Sequence, residues 1–194
     1  MSQFLETIAI VNKIPQHVSY HQQRIDACSL VQIEPFLQRI SFATNKLYKL
    51  SVIYNETQVE KYQLIPYQSK VIKTFKILID NNLDYSFKFA DRTHLDQLKS
   101  KKGSCDEIII IKNEEVTDCS FANLIFWDGK RWITPENPLL AGTCRARLLE
   151  EGVIETQKIS VKQLPSFSKM MLINAMLDFD EKRAILISPD IFVF

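Results

Sequence analysis

Asp106-Glu107-Ile108-Ile109-Ile110-Ile111-Lys112-Asn113-Glu114-Glu115-Val116-Thr117-Asp118-Cys119-Ser120-Phe121-Ala122-Asn123-Leu124-Ile125-Phe126-Trp127-Asp128-Gly129 is the stretch on which the reading of this chain turns. It runs on to Thr134-Pro135 and to Leu139-Leu140-Ala141-Gly142-Thr143-Cys144-Arg145. Ile108 to Ile111 is a short β-branched run between polar residues, which predicts a buried strand. Leu124 to Trp127 predicts a second strand, closed by the turn dipeptide Asp128-Gly129, and Thr134-Pro135 ends a third. Gly142 to Arg145 opens a helical pattern with Leu148 and Leu149 on one face. A carboxylate, Asp118, falls at the joint just past one strand, and an amide, Asn123, lies five residues on, before the next. A glycine then opens a helix, whose first N–H groups have no partner within the helix and suit an anion. A phosphate-bearing, basic cofactor would need these parts. Each also has a commoner structural use, since Asp at a strand end forms turns and Gly-Thr at a helix start forms caps.

Working outward toward the N-terminus, Phe4 to Ile10 reads as a strand and Ile14 to His17 as a connection. Val18 to Tyr20 begins the next element, and His21 to Val31 reads as a helix with Arg24 on its first turn. Pro35 to Ile40 is helical or irregular. Leu47 to Tyr54 alternates into a strand, and Tyr62 to Tyr67 is a strand broken by Pro66. The polar tetrapeptide Asn55-Glu56-Thr57-Gln58 reads as an interdomain linker, giving a small domain over 1–55 and a larger one over 60–194. Periodicity does not decide between strand and helix for Phe75 to Ile79. Lys88 stands between Phe87 and Phe89. Desolvation there would favour the neutral, nucleophilic amine, while a lysine lying along apolar surface with its ammonium in water is the commoner outcome. Thr93 to Leu98 is the next helix. Beyond the central stretch, Gly152 is placed to end the helix. Ile154 to Ile159 is a strand, Ser166 to Met170 a short helix, and Ala184 to Ile187 and Ile191 to Phe194 close the sheet.

Composition excludes several classes. The 194 residues suffice for one sizeable core or two small ones. A net charge of +1 gives no electrostatic footprint for nucleic acid. No apolar run reaches membrane-spanning length, and the N-terminus has no basic segment leading an apolar core. Cys28, Cys105, Cys119 and Cys144 form no CxxC pair and no metal spacing with the three histidines. Reduced thiols in the cytoplasm are the expectation.

The wording of the central stretch resembles the C-terminal half of the class IV aminotransferase family, the fold-type IV enzymes that use pyridoxal 5′-phosphate. That pattern is an acidic residue, a small polar stretch, an Asn and a strand, then Thr-Pro, then Leu-x-Gly and an Arg opening a helix. The match is Val116 to Phe126, Thr134-Pro135 and Leu140 to Arg145. It extends to His21-Gln22-Gln23-Arg24 and to Lys88-Phe89-Ala90-Asp91-Arg92. The resemblance implies an α+β, two-domain fold with a small N-terminal domain and a larger, β-rich cofactor-binding domain. It implies Lys88 as the Schiff-base lysine, with Arg92 four residues on opening a helix. Asp118 would pair with the pyridine nitrogen and Asn123 would help orient the ring or the phosphate side. Arg24 and the backbone N–H groups of Thr143 and Cys144 would hold the phosphate. Asn174 and Ala175 fall in a loop that faces phosphate and substrate, although a core strand with a turn accounts for them equally. No metal is expected. A homodimer in the cytoplasm, acting on a small-molecule amine, follows from the same likeness.

Three departures bear on activity. Asp118 stands where the family usually has Glu, one methylene longer. Cys144 stands where many members have a hydroxyl. The chain is short, and Tyr54-Asn55-Glu56-Thr57 replaces a Gly- and Arg-rich loop that in relatives helps meet substrate carboxylates. The nearest wording is that of 4-amino-4-deoxychorismate lyases, which release pyruvate and 4-aminobenzoate. An aminotransferase for D- or branched-chain amino acids is the second reading, and a non-catalytic family member the third.

Overall fold

The structure, a computed structural model, describes residues 2–42 and 46–194. The chain forms two compact units: residues up to Ser69 with Phe87–Asp91, and Lys70–Ser86 with Arg92–Phe194.

The first unit holds β1 (Phe4–Val11), β2 (Ile14–Pro15), α1 (Val18–Asp26), α2 (Ile33–Leu37), β3 (Tyr48–Tyr54) and β4 (Val59–Pro66), with sheet order β2-β1-β3-β4. All its pairings are antiparallel. Asn12 and Lys13, both at positive φ, form the two-residue turn between β1 and β2, as a turn matched to strand twist requires. Strand alternation sends Phe4, Glu6, Ile8 and Ile10 inward. The three apolar ones pack with Ile25 of α1, with Ile33 and Leu37 of α2, and with Leu50 and Val52 of β3. α1 begins at Val18, three residues earlier than its apolar spacing suggests, because left-handed His17 turns the chain directly into the helix. Arg24 therefore lies on its last turn, not its first. The expected linker Asn55 to Gln58 is the β3–β4 hairpin loop. Asn55 Oδ1 accepts from the N–H groups of Thr57 (2.9 Å) and Gln58 (3.0 Å), so its polar composition is turn chemistry. The boundary between units falls after Ser69 instead.

The second unit contains β5 (Phe75–Ile79), α3 (Thr93–Ser100), β6 (Glu107–Lys112), β7 (Glu115–Cys119), β8 (Asn123–Trp127) and β9 (Trp132–Pro135). These are followed by α4 (Thr143–Glu150), β10 (Ile154–Gln157), β11 (Lys169–Ile173), β12 (Ile185–Leu186) and β13 (Phe192–Val193). The strand order is β10-β9-β8-β7-β6-β5-β13, with β11 against β8 and β12 against β11. β5 and β6 are parallel across α3, and β9 and β10 are parallel across α4, so each helix is a crossover. Phe75–Ile79 is settled as a strand by parallel partners on both sides, β6 and β13. Ile108 to Ile111 are all fully buried, as a central strand covered on both faces requires. α4 lays Leu148 against Ile125, Trp132, Ile154, Met171 and Ile173, and Gly152 ends it at φ +68°. The helix expected at 166–170 is displaced: Ser160 and Gln163 form a capping box that starts a 3-10 turn at Val161–Ser166, and Lys169 onward pairs with β8. The whole is an α+β architecture with a small N-terminal sheet and a larger mixed one. Among the described residues no helix is long and apolar enough to cross a membrane.

Candidate functional site

The β7–β8 hairpin places Asp118 and Asn123 directly opposite each other. Asp118 is thus the penultimate residue of β7 rather than a residue past it, and its side chain is buried. Its Oδ1 accepts from Asn123 Nδ2 at 2.8 Å, and its Oδ2 from the Leu140 N–H at 3.0 Å. Asn123 Nδ2 also donates to the Leu140 carbonyl at 2.9 Å. One amide therefore ties the hairpin to the Leu139–Gly142 segment. Gly142 is required there, because a Cβ at that position would come within 2.0 Å of Asn123 Oδ1. Burial pushes the Asp118 carboxyl up to about 6, against the Leu140 and Leu139 N–H groups, the Asn123 amide and the Arg145 charge, which lower it. No Lys, Arg or His among the described residues bonds to it.

Gly142 leads into α4, whose opening residues Thr143 and Cys144 are buried. The Cys144 thiol is raised to about 12 by burial and by Asp178 nearby, so it is neutral. Arg145 does not point to a ligand. Its Nη2 donates to the Pro135 carbonyl at 2.9 Å and its Nε lies 3.4 Å from Thr134 Oγ1, which itself donates to the Leu124 carbonyl at 2.9 Å. Thr134, Pro135 and Arg145 thus join α4 to β9 and β8 and aim the helix start. Asn174 is likewise engaged within the protein. Its Nδ2 donates to the Phe121 carbonyl at 3.1 Å and its Oδ1 accepts from the Met176 N–H at 2.8 Å, with half-buried Ala175 between.

In the first unit, Arg24 meets a carboxylate that sequence reading passed over. Its Nε and Nη2 donate to Glu6 Oε1 and Oε2, each at 2.7 Å, and His21 Nδ1 lies 2.6 Å from Glu6 Oε2. Burial of Glu6 acts to raise its pKa, but Arg24 and His21 outweigh that and hold it well below the usual range. An ionised carboxylate only accepts, so His21 Nδ1 carries the proton of that bond. The signal was present in the alternation Phe4-Glu6-Ile8-Ile10: a carboxylate on a core face needs a partner, and His21 and Arg24, three apart, share one helix face. Lys88 is half-buried and sits beside the same strand. Its carbonyl accepts from the Leu5 N–H at 2.8 Å, the Ala90 N–H donates to the Gln3 carbonyl at 2.9 Å, and Phe89 bridges Phe4. The flanking aromatics pack on Phe4, with ring centroids at 6.1 Å for Phe87 and 5.8 Å for Phe89. Lys88 and Arg24 belong to the first unit, and Asp118, Asn123, Thr143, Cys144, Asn174 and Ala175 to the second. Among the described residues no three His, Cys, Asp or Glu side chains converge to hold a metal ion.

Residues 86–179 match the amino-transferase class IV family. A protein of Haemophilus influenzae whose function is uncharacterised is 38% identical over 186 residues, spanning 91% of this chain and 98% of that one. The crystal structure of a candidate 4-amino-4-deoxychorismate lyase from Haemophilus somnus 129pt is 36% identical, with a TM-score of 0.79 over 92% of this chain and 98% of its own. The 4-amino-4-deoxychorismate lyase of Pseudomonas aeruginosa shares the fold at a TM-score of 0.69 and 17% identity, over 90% of this chain and 80% of its own.

Proposed function

The chain belongs to the class IV aminotransferase family, and on that premise we propose that it is a pyridoxal-phosphate enzyme of the 4-amino-4-deoxychorismate lyase kind. The observation that carries the reading is Asp118, a buried carboxylate held by neutral N–H donors alone. A carboxylate offers about four acceptor positions, and the donors from Asn123 and the Leu139–Leu140 backbone leave room for another. A protonated ring nitrogen is such a donor, and its positive charge would remove the penalty that burial imposes on the ionised acid. The phosphate suits the start of α4, where the first-turn N–H groups of Thr143 and Cys144 lie beyond the helix's own hydrogen bonds. By the family resemblance Arg24, its plane set by two bonds to Glu6, would supply a cation for a phosphate. The residues present therefore fit the cofactor.

When bound, pyridoxal phosphate supplies an electron sink for a carbanion beside the substrate amino group. Lys88 Nζ would hold the cofactor covalently and, once displaced by the substrate amine, move protons to and from the substrate. Asp118, ionised, would keep the ring nitrogen protonated. Asn123 would hold Asp118 in orientation from one side and Leu140 from the other. Lyase chemistry is favoured because the Haemophilus somnus chain matches at 36% identity over nearly its whole length.

The test is the absorption spectrum of the purified protein with added pyridoxal phosphate, beside Lys88→Ala, followed by a pyruvate assay on aminodeoxychorismate. The expected result is a band near the visible edge that the variant lacks, with pyruvate released by the wild type. Amino transfer to a 2-oxo acid without pyruvate release would replace the lyase with an aminotransferase. No band in either protein would overturn the cofactor reading.

A further inference from the structure

The turn Cys119–Ala122 carries Asp118 on one side and Asn123 on the other, so whatever fixes the turn fixes both. Three side chains do so. Lys99, on the last turn of α3, donates Nζ to Ser120 Oγ at 3.0 Å and to Glu107 Oε2 at 2.7 Å. Its ammonium also lies 5.3 Å from the centre of the Phe121 ring, within cation–π range. Arg92 Nη2 donates to the Ser120 carbonyl at 2.8 Å, while its Nη1 donates to Tyr85 Oη at 3.1 Å. Asn174 reaches the Phe121 carbonyl from β11. Glu107 is 1% exposed, and its other oxygen accepts from the Ile108 N–H at 3.0 Å.

Lys99 lacks the sequence neighbours of a cofactor lysine, yet its ammonium meets three groups of the second unit at once. An ammonium has three donors on a tetrahedral centre. Here one meets a buried carboxylate, one a hydroxyl, and an aromatic face lies beside them. A cation that only neutralised Glu107 would have no need to touch the turn. We propose that Lys99 is a positioning residue for Asp118: through Ser120 it ties the β7–β8 turn to the buried Glu107 at the start of β6, and so sets where the Asp118 carboxylate stands. The tie matters more for Asp than for a longer acid. A side chain with one torsion fewer has less freedom to find a ring nitrogen, so the backbone must bring it there. The inference rests on the cofactor reading above.

Ser120→Ala separates positioning from stability, because it removes the hydroxyl from Lys99 but leaves the Lys99–Glu107 pair intact. Lys99 keeps its bond to Glu107 and is partly open to solvent, so water takes the place of the lost hydroxyl and the fold loses little, whereas a displaced Asp118 meets the ring nitrogen less well. The expected result is therefore pyridoxal phosphate binding weakened about tenfold by equilibrium dialysis, with an altered pH dependence of the bound cofactor's absorption. The thermal midpoint of the cofactor-free protein should barely move, and Ser120→Thr, which keeps the hydroxyl, should restore affinity. Wild-type affinity in Ser120→Ala overturns the inference alone. So does an equal loss in Ser120→Thr, or a loss that follows the thermal midpoint. Failure of the wild type to bind pyridoxal phosphate overturns the cofactor reading and this inference with it.

Discussion

Glu6 and Asp118 are both buried carboxylates on strands, one in each unit, and their environments push them in opposite directions. Glu6 faces the Arg24 guanidinium and the His21 ring N–H, and is held ionised far into acid. Asp118 faces an amide and a backbone N–H, and burial raises it to about 6. Burial alone acts the same way on both, so the difference lies in the partners. A buried acid already matched by cations is part of the architecture. A buried acid hydrogen-bonded only by neutral donors among the described residues has capacity left for a cation. That contrast points to Asp118, and not to the more densely bonded Glu6, as the place where a charged ligand atom belongs.

The largest expected effect comes from taking the cations from Glu6. Arg24→Leu leaves a carboxylate buried with His21 alone, and breaking a buried pair of this kind costs about 3–5 kcal/mol. Replacing Glu6 and Arg24 together by Leu removes the stranded charge, and should cost much less than Arg24→Leu alone. Urea unfolding of the single and double variants measures both. A double variant less stable than Arg24→Leu would show that the charge on Glu6 is not what matters. The sign of the pH effect follows from its depressed pKa: the stability Glu6 confers is present above its unfolded value of 4.5 and is lost as pH falls through the acid range.

Asp118 should behave the other way. Its folded pKa of about 6 lies above the ordinary aspartate value of 3.8, so between those values the folded protein binds more protons than the unfolded chain. Stability must then fall as pH rises through that window, by roughly 3 kcal/mol in all at 1.36 kcal/mol per pKa unit. Subtracting the stability–pH profile of Asp118→Ala isolates this slope, since the lost hydrogen bonds add only a constant. The same linkage predicts that pyridoxal phosphate affinity drops as pH is lowered below about 6, where Asp118 must first lose its proton. A flat difference profile would mean that burial does not raise Asp118, and a rising one would place it beside Glu6; either dissolves the comparison.

How much of this contrast could be read from the sequence depended on where the partners lie. Asp118, Asn123 and Gly142 stand in one contiguous stretch, and their mutual bonding follows a hairpin and a helix start that local pattern reveals. Ile108 to Ile111 announced their strand because every position is buried. Glu6 was passed over because its partners come from another element, and only the inward alternation of β1 betrays it. Asn55 misled because turn chemistry and linker chemistry use the same polar residues. Arg145 and Asn174 carry polar groups in a suggestive place, but each is bonded to carbonyls within the protein. Side-chain direction of that kind is a tertiary property that spacing does not encode.

A smaller effect is expected where Asp118 is supported. Gly142→Ala sets a methyl into Asn123 Oδ1, and overpacking a closed site typically costs about 1–3 kcal/mol. Asn123 must rotate away, and Asp118 loses a donor that lowers its pKa. The upper end of the pH window described above should therefore move to higher pH in this variant. A stability loss without that displacement would mean that Leu140 alone tunes the carboxylate.

The smallest effect belongs to a carboxylate whose histidine partner is more than half exposed. His94 Nε2 lies 2.8 Å from Asp80 Oδ2, with the histidine side chain 55% exposed. Burial acts to raise the Asp80 pKa, but hydrogen bonding and His94 together lower it, the same direction as for Glu6. If a depressed pKa by itself meant a structural role, His94→Gln should destabilise the fold as Arg24→Leu does. Water and salt argue otherwise. An exposed pair is worth about 0–1 kcal/mol, and its attraction fades as the screening length shrinks from about 10 Å at 0.1 M salt to about 3 Å at 1 M. His94→Gln should thus cost at most about 1 kcal/mol, and less in high salt, while the Arg24→Leu penalty should persist there. Equal salt sensitivity of the two variants would show that water reaches Glu6. The distinction between matched and unmatched buried acids would then rest on exposure rather than on charge.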